Sequence, residues 1–175
     1  MIKAIIGLGN PGPQFLNTRH NAGFLVLDAL ADKYSASWQK RDNMLLAEVD
    51  IDGQQILLIK PQTFMNNSGQ VIPFLSKKGI KPENILVVHD ELELPFGKIA
   101  FKTGGSARGH NGLRSLIAAM SDAFGRIRVG VGRPAEPAQV PDYVLERFKE
   151  SPEQVQESID KALQLIKVKI KNPGN

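Results

Sequence analysis

The chain has 175 residues, 42% of them hydrophobic, and a formal net charge of +4, a size that fits one domain with a sizeable core. It contains no cysteine, which excludes disulfides, cysteine-based metal centres and thiol nucleophiles. Its three histidines show no H-E-x-x-H spacing, so no metal is expected, and no apolar stretch reaches the ~18 residues of a membrane span.

The first element is an apolar strand at 2–6, with no signal-peptide pattern, so a cytoplasmic protein is expected. Directly after it comes Gly7-Leu8-Gly9-Asn10-Pro11-Gly12. This is G-x-G-x-x-G after a strand, the spacing of a dinucleotide-binding turn. In that turn a helix opens inside the glycines and faces the phosphates. Here Pro11 and Pro13 push Asn10 and Gly12 away from the helical region. The segment therefore reads as a turn continuing as a loop to residue 20. Asn17-Thr18-Arg19-His20-Asn21 closes that loop with a dense set of hydrogen-bonding groups, a candidate active-site wall at a strand end.

Helical spacing of apolar residues predicts a helix over 21–34. Strands follow at 44–51 and 54–60, with Asp52-Gly53 between them as a two-residue hairpin turn. A loop at 60–67 leads into a short helix at 68–78, whose Pro73 is tolerable only in its first turns. The run Ile85-Leu86-Val87-Val88-His89 reads as a strand buried on both faces. A strand near 98–103, a helix over 111–121 and a strand at 127–131 come next. Residues 134–141 form a Pro-rich loop. Ser151 and Pro152 open a C-terminal helix, and Lys171–Asn175 are expected to fray. Strands alternating with helices predict an α/β fold: a single-domain three-layer sandwich over 1–175, with a mixed, largely parallel twisted sheet flanked by helices.

Ligands of open α/β sheets bind outside the carboxyl ends of the strands. If the strands ending at Asn10, Asn66 and Asp90 are parallel, those three residues converge on one crevice beside His20. Asn111 joins them from a helix start. His20 is the plausible general base of this set, with Asp90 as the carboxylate that fixes its tautomer. No serine stands in a G-x-S-x-G setting, so the pair points to activation of water. Asparagine amides suit a carbonyl and its developing oxyanion because they donate without changing charge. The implied reaction is hydrolysis of an ester or amide. Plainer readings stand beside this one. A lone loop histidine is often structural. Asp90 could cap a turn, Asn10 before Pro11 is ordinary turn chemistry, and Asn66 could flank the helix beside Ser68. Met65 reads as packing, His89 as a hydrogen-bonded core histidine and His110 as support for the helix start.

Charge adds a partner. Between Lys98 and Arg133 lie seven basic residues and one acid, Asp122. Such a run is a solubilising surface or a footprint for a polyanion, and its overlap with the candidate site favours the polyanion.

Taken together, the segments 7–12, Thr18-Arg19-His20-Asn21-Ala22-Gly23-Phe24, Lys60-Pro61-Gln62-Thr63-Phe64-Met65-Asn66-Asn67-Ser68-Gly69, His89-Asp90-Glu91-Leu92-Glu93-Leu94-Pro95, Gly109-His110-Asn111-Gly112-Leu113 and Asp142-Tyr143-Val144-Leu145 resemble bacterial peptidyl-tRNA hydrolases, in the family's order and over essentially the whole chain. The resemblance implies cleavage of the ester between a peptide and the 3′-terminal ribose of tRNA, without cofactor or metal, by an enzyme expected to be a monomer. It implies His20 as base, Asp90 as its support and Asn10 as a discriminator of blocked from free amines. It implies Phe64, Asn66 and Asn111 as lining of the substrate site and Met65 as its wall. Lys102 and Arg128 match positions that meet tRNA phosphates, and 134–150 resembles a lid-like loop region before the helix at 151–171. Two positions depart from the pattern. Phe15 stands where the family usually has tyrosine, which removes a hydroxyl beside the substrate site. Arg108 stands where glycine is frequent. Two other readings compete: a non-catalytic RNA-binding relative, and a nucleotide-dependent oxidoreductase built on the glycines.

Overall fold

The computed structural model describes residues 1–173. Its strands are β1 (Ala4–Gly7), β2 (Gln39–Arg41), β3 (Met44–Ile51), β4 (Gln54–Pro61), β5 (Ile85–Glu91), β6 (Ile99–Thr103) and β7 (Gly125–Gly130). Its helices are α1 (Ala22–Lys33), α2 (Ile72–Lys77), α3 (Asn111–Met120), α4 (Val140–Leu145) and α5 (Pro152–Lys171). The strands form one sheet in the order β2-β3-β4-β1-β5-β7-β6. The four central strands β4, β1, β5 and β7 are mutually parallel, while β3 and β6 run antiparallel to their neighbours β4 and β7. The expected mixed sheet is present, and the parallel centre brings the carboxyl ends of β1, β4 and β5 to one edge.

Side-chain alternation along each strand sorts the core into two layers. Ile5, Leu58, Leu86, Val88, Ile127 and Val129 pack under α1 and α5. Ala4, Ile6, Ile59, Ile85 and Val87 pack under α2, α3 and a 3-10 segment at Met65–Val71. The second cover stops short of the β7 and β6 edge. There the same alternation turns Arg126, Arg128 and Lys102 to the face opposite Ile127, Val129 and Phe101. This leaves a polar floor beside the end of β5.

The hairpin Asp52-Gly53 has both residues at positive φ, 52° and 85°, as a type I′ turn requires. Ser151 caps α5, its hydroxyl accepting from Gln154 N at 3.2 Å. Two expectations are corrected and one strand is added. The helix read as 68–78 is a 3-10 segment followed by only six α-helical residues, because Pro73 can join a helix near its start but not inside it. The region read as loop at 134–150 contains α4, whose start is set by Pro141 in the first turn. Edge strand β2 carries three exposed polar residues, so it has no apolar alternation to reveal it. Of the expected frayed tail, Lys171 ends α5, and Gly174 and Asn175 lie outside the described residues.

The glycines after β1 have a structural purpose. A Cβ at Gly23 would stand 2.4 Å from both Leu8 N and Val88 O, and one at Gly7 would stand 2.5 Å from Gly23 O. A Cβ at Gly9 would meet the Phe24 ring at 2.6 Å. The first turn of α1 thus lies directly on the end of β1. That contact sets the position of the residues just before α1, His20 among them. Gly23→Ala is expected to destabilise the protein by about 3 kcal/mol, read as a lower urea midpoint, because the colliding atoms are backbone and cannot rotate away.

Candidate active site

His20 lies in a 3-10 turn, Arg19–Asn21, that runs straight into α1. Asp90 sits near the end of β5 and is 3% exposed. His20 Nδ1 is 2.9 Å from Asp90 Oδ2, so the pair expected from the sequence is in contact. The other carboxylate oxygen, Oδ1, is 2.7 Å from His110 Nε2. Two imidazoles therefore share one buried carboxylate.

The tautomers follow from the remaining contacts. His110 is the N-cap of α3, and its Nδ1 accepts from Gly112 N at 3.1 Å and Leu113 N at 3.3 Å. An accepting Nδ1 carries no proton, so the His110 proton is on Nε2 and is donated to Asp90. His20 donates from Nδ1 to the same carboxylate, which leaves its Nε2 lone pair available. Burial works to lower the His20 pKa, but the charge and hydrogen bond of Asp90 outweigh it, and the net shift is upward. Burial likewise works to raise the Asp90 pKa, and His20 and His110 together overcome it, holding the carboxyl well below the usual carboxylate range. His89 is wholly buried, its Nδ1 donating to the Asp90 carbonyl at 2.8 Å. Burial first, and His110 beside it, push its pKa down to about 4, so it stays neutral as a core histidine. His20, Asp90 and His110 each offer one ligand atom within 4.8 Å of the others. Both Asp90 oxygens already receive imidazole protons, so a cation there would have to displace them.

Asn10 is held on three sides. Its backbone N–H donates to Asn21 Oδ1 at 2.8 Å, and its carbonyl accepts from Asn21 Nδ2 at 3.0 Å. Its side-chain Oδ1 accepts from Met65 N at 2.7 Å. The amide Nδ2 is left as the donor of that side chain. Asn21 was not among the candidates. Its neighbourhood to His20 was the one available signal, because a contact across 11 positions leaves no local pattern.

Met65 is buried and links the Asn10 turn to α3, its Sδ lying against Gly112. Phe64, just before it, is 52% exposed and has φ 63° and ψ 155°, a region almost confined to glycine. Its ring meets that of Phe15 edge-on, centroids 6.3 Å apart. Ring packing at Phe15 therefore stands without the hydroxyl. Asn66 and Asn111 are exposed. Asn111 accepts from Arg114 at 3.3 Å, while the Asn66 side chain makes no hydrogen bond among the described residues.

A cavity of about 230 Å³ opens beside the histidines, lined among others by His20, Asp90, His110, Lys102, Arg108, Arg126 and, on α4, Val140, Pro141 and Val144. The basic run divides into separate roles here. Arg126 is 1% exposed and ties the loop before α3, bonding Ser106 O at 2.8 Å and Gly105 O. Arg128 is paired through Nε with Glu91 Oε1 at 2.9 Å, and Arg133 with Glu93. Lys102 has no ion pair among the described residues. Partial burial lowers its pKa, and so do Arg126, Arg128 and Arg108. A wall that crowds cations in this way gains most from an anion. Arg108 has φ 46°, the left-handed region that glycine adopts without strain. This explains why glycine suits the position.

A family model described as peptidyl-tRNA hydrolase matches residues 4–174. The curated peptidyl-tRNA hydrolase of Dichelobacter nodosus is 46% identical over 175 residues, covering 93% of this chain and 93% of its own. That of Halalkalibacterium halodurans is 46% identical over 176 residues, covering 98% and 95%. The crystal structure of peptidyl-tRNA hydrolase from Acinetobacter baumannii superposes with a TM-score of 0.86 at 41% identity, over 97% of this chain and 87% of that one. By the family match over nearly its whole length, and by these relatives, this chain belongs to the peptidyl-tRNA hydrolases.

Proposed function

We propose that this protein hydrolyses the ester between a peptide and the 3′-terminal ribose of tRNA, returning free tRNA, with His20 as the general base. The carrying observation is the shared carboxylate: the N–H groups of α3 occupy His110 Nδ1, which leaves His20 Nε2 as the acceptor. In this reading His20 Nε2 takes a proton from a water whose oxygen attacks the ester carbonyl carbon. Asp90 stabilises the imidazolium that forms. The amides of Asn10, Asn66 and Asn111 donate to the carbonyl oxygen as it becomes an oxyanion. The carbon–oxygen bond to ribose then breaks, and the imidazolium returns its proton to the departing oxygen. An aminoacyl ester has a good enough leaving group for this sequence to need no covalent enzyme intermediate.

The substrate's two halves leave the ester in opposite directions. Lys102, with Arg108 beside it, is suited to meet tRNA phosphates. Arg128 is already committed to Glu91 and contributes through its field and by ordering that wall. Phe15 and Phe64, with Met65 beneath, are suited to line the crevice next to Asn10.

His20→Ala is expected to lower kcat by at least ~100-fold, and to lower the thermal midpoint because buried Asp90 loses one of its two partners; equal rates for variant and wild type would sink the mechanism. Because the base must be neutral, kcat/KM should rise with pH through a limb displaced above the ordinary histidine value, in the direction of the His20 shift. Asp90→Asn removes the raising partner and leaves burial, so its slower reaction should show that limb moved to lower pH. In tRNA binding, Lys102→Ala is expected to reduce the slope of log affinity against log salt by about one. Arg128→Ala should change that slope less, and titration across a salt series distinguishes the two.

A further inference from the structure

We propose that Arg19 is the positioning residue that seats α4 as a wall of the His20 cavity, so that the turn carrying the base and the wall covering it form one unit. This rests on the reading of His20 as the base.

Helix α4 has six residues, too few to persist without docking. Its Val140, Pro141 and Val144 nevertheless line the cavity with His20. Among the described residues, the polar contacts that segment 140–148 makes outside itself run to 17–19 and to Val131. Arg19 supplies most of them. Its backbone N–H donates to Glu146 O at 3.0 Å. Its Nη1 donates to Tyr143 O at 2.8 Å and to Glu146 Oε1 at 2.9 Å. Its guanidinium lies over the Tyr143 ring, 3.7 Å from the centroid. Phe148 N donates to Asn17 O at 3.2 Å, which with the Arg19 N–H bond makes the single antiparallel bridge of Thr18 with Arg147. From the other side, Tyr143 Oη donates to Val131 O at 2.6 Å.

Arg19 is 3% exposed, directly precedes His20 and takes no part in the proton network. A buried guanidinium needs donors met and a covered face: here Nη1 is met by Tyr143 O and Glu146 Oε1, and the Tyr143 ring covers the face. The Glu146 carboxylate is 61% exposed, so its charge contributes little. The carbonyl bond and the flat stack carry the contact. Lysine offers no planar face to lie flat on the Tyr143 ring, so Arg19→Lys keeps the charge and the backbone bond and loses the stack.

In the full-length protein, Arg19→Lys is expected to speed amide hydrogen exchange across 140–148 by about tenfold or more. With peptidyl-tRNA, KM should rise several-fold while kcat stays within about threefold. Glu146→Gln, which keeps an acceptor, should match wild type in exchange and kinetics. If Arg19→Lys does not fold, Tyr143→Leu removes the stack from the α4 side, and its effect should exceed that of Tyr143→Phe, which keeps the ring and loses only the Val131 bond. Unchanged exchange and KM would overturn the proposal, as would a loss of kcat at constant KM. If His20→Ala proves fully active, the base assignment falls by itself, because exchange reports the seating of α4 without any hydrolysis.

Discussion

A carboxylate almost sealed from water keeps its charge only if other groups supply what water would have given it. Asp90 draws that support from His20, 70 positions before it, and His110, 20 positions after it. One ionised side chain thus ties the turn before α1, the end of β5 and the start of α3 into a single object. Each imidazole pays for its place differently. His110 gives Nδ1 to the helix N–H groups and Nε2 to Asp90, which uses both nitrogens. His20 gives only Nδ1. This asymmetry leaves a ring nitrogen of His20 uncommitted, and the proposed base assignment rests on it.

That arrangement needs backbone accuracy, and the glycines provide it. Gly7 and Gly23 let α1 begin in contact with β1 and β5, closer than any side chain permits. The turn that carries Arg19, His20 and Asn21 is therefore positioned by the sheet itself. Asn21 then holds both backbone groups of Asn10, and Asn10 holds Met65. The chain of contacts runs from sheet to helix to crevice. Two of the residues held at positive φ flank these contacts: Phe64, just before Met65, and Arg108, which lines the cavity.

The basic surface shows how composition becomes function only after pairing is known. Seven cations in one stretch of sequence suggest a uniform patch. In the fold, Arg126 is spent on loop carbonyls, and Arg128 and Arg133 are spent on glutamates. Lys102 remains on the cavity wall without an ion pair among the described residues. The local field keeps its sign, but the groups able to bind a phosphate directly are fewer than the count implies.

Much of this was legible in the chain. Apolar periodicity located the main strands and helices, because a half-buried strand and a one-faced helix impose different repeats. Asp52-Gly53 announced its hairpin, and Ser151-Pro152 announced α5. The motifs around His20, Asp90 and Asn111 pointed to one crevice, and all three line the cavity, because the strand ends and the helix start meet at one edge of the sheet. What the chain could not express were pairings made across the fold. Strand β2 and helix α4 exist by docking, not by their own periodicity. The second partner of Asp90, the Asn21 clamp and the commitment of Arg126 and Arg128 depend on strand register and burial. The sequence by itself determined which groups and which elements are available. The tertiary structure decided which of them meet, because a hydrogen bond between distant segments is set by how the layers pack and leaves no mark on local spacing.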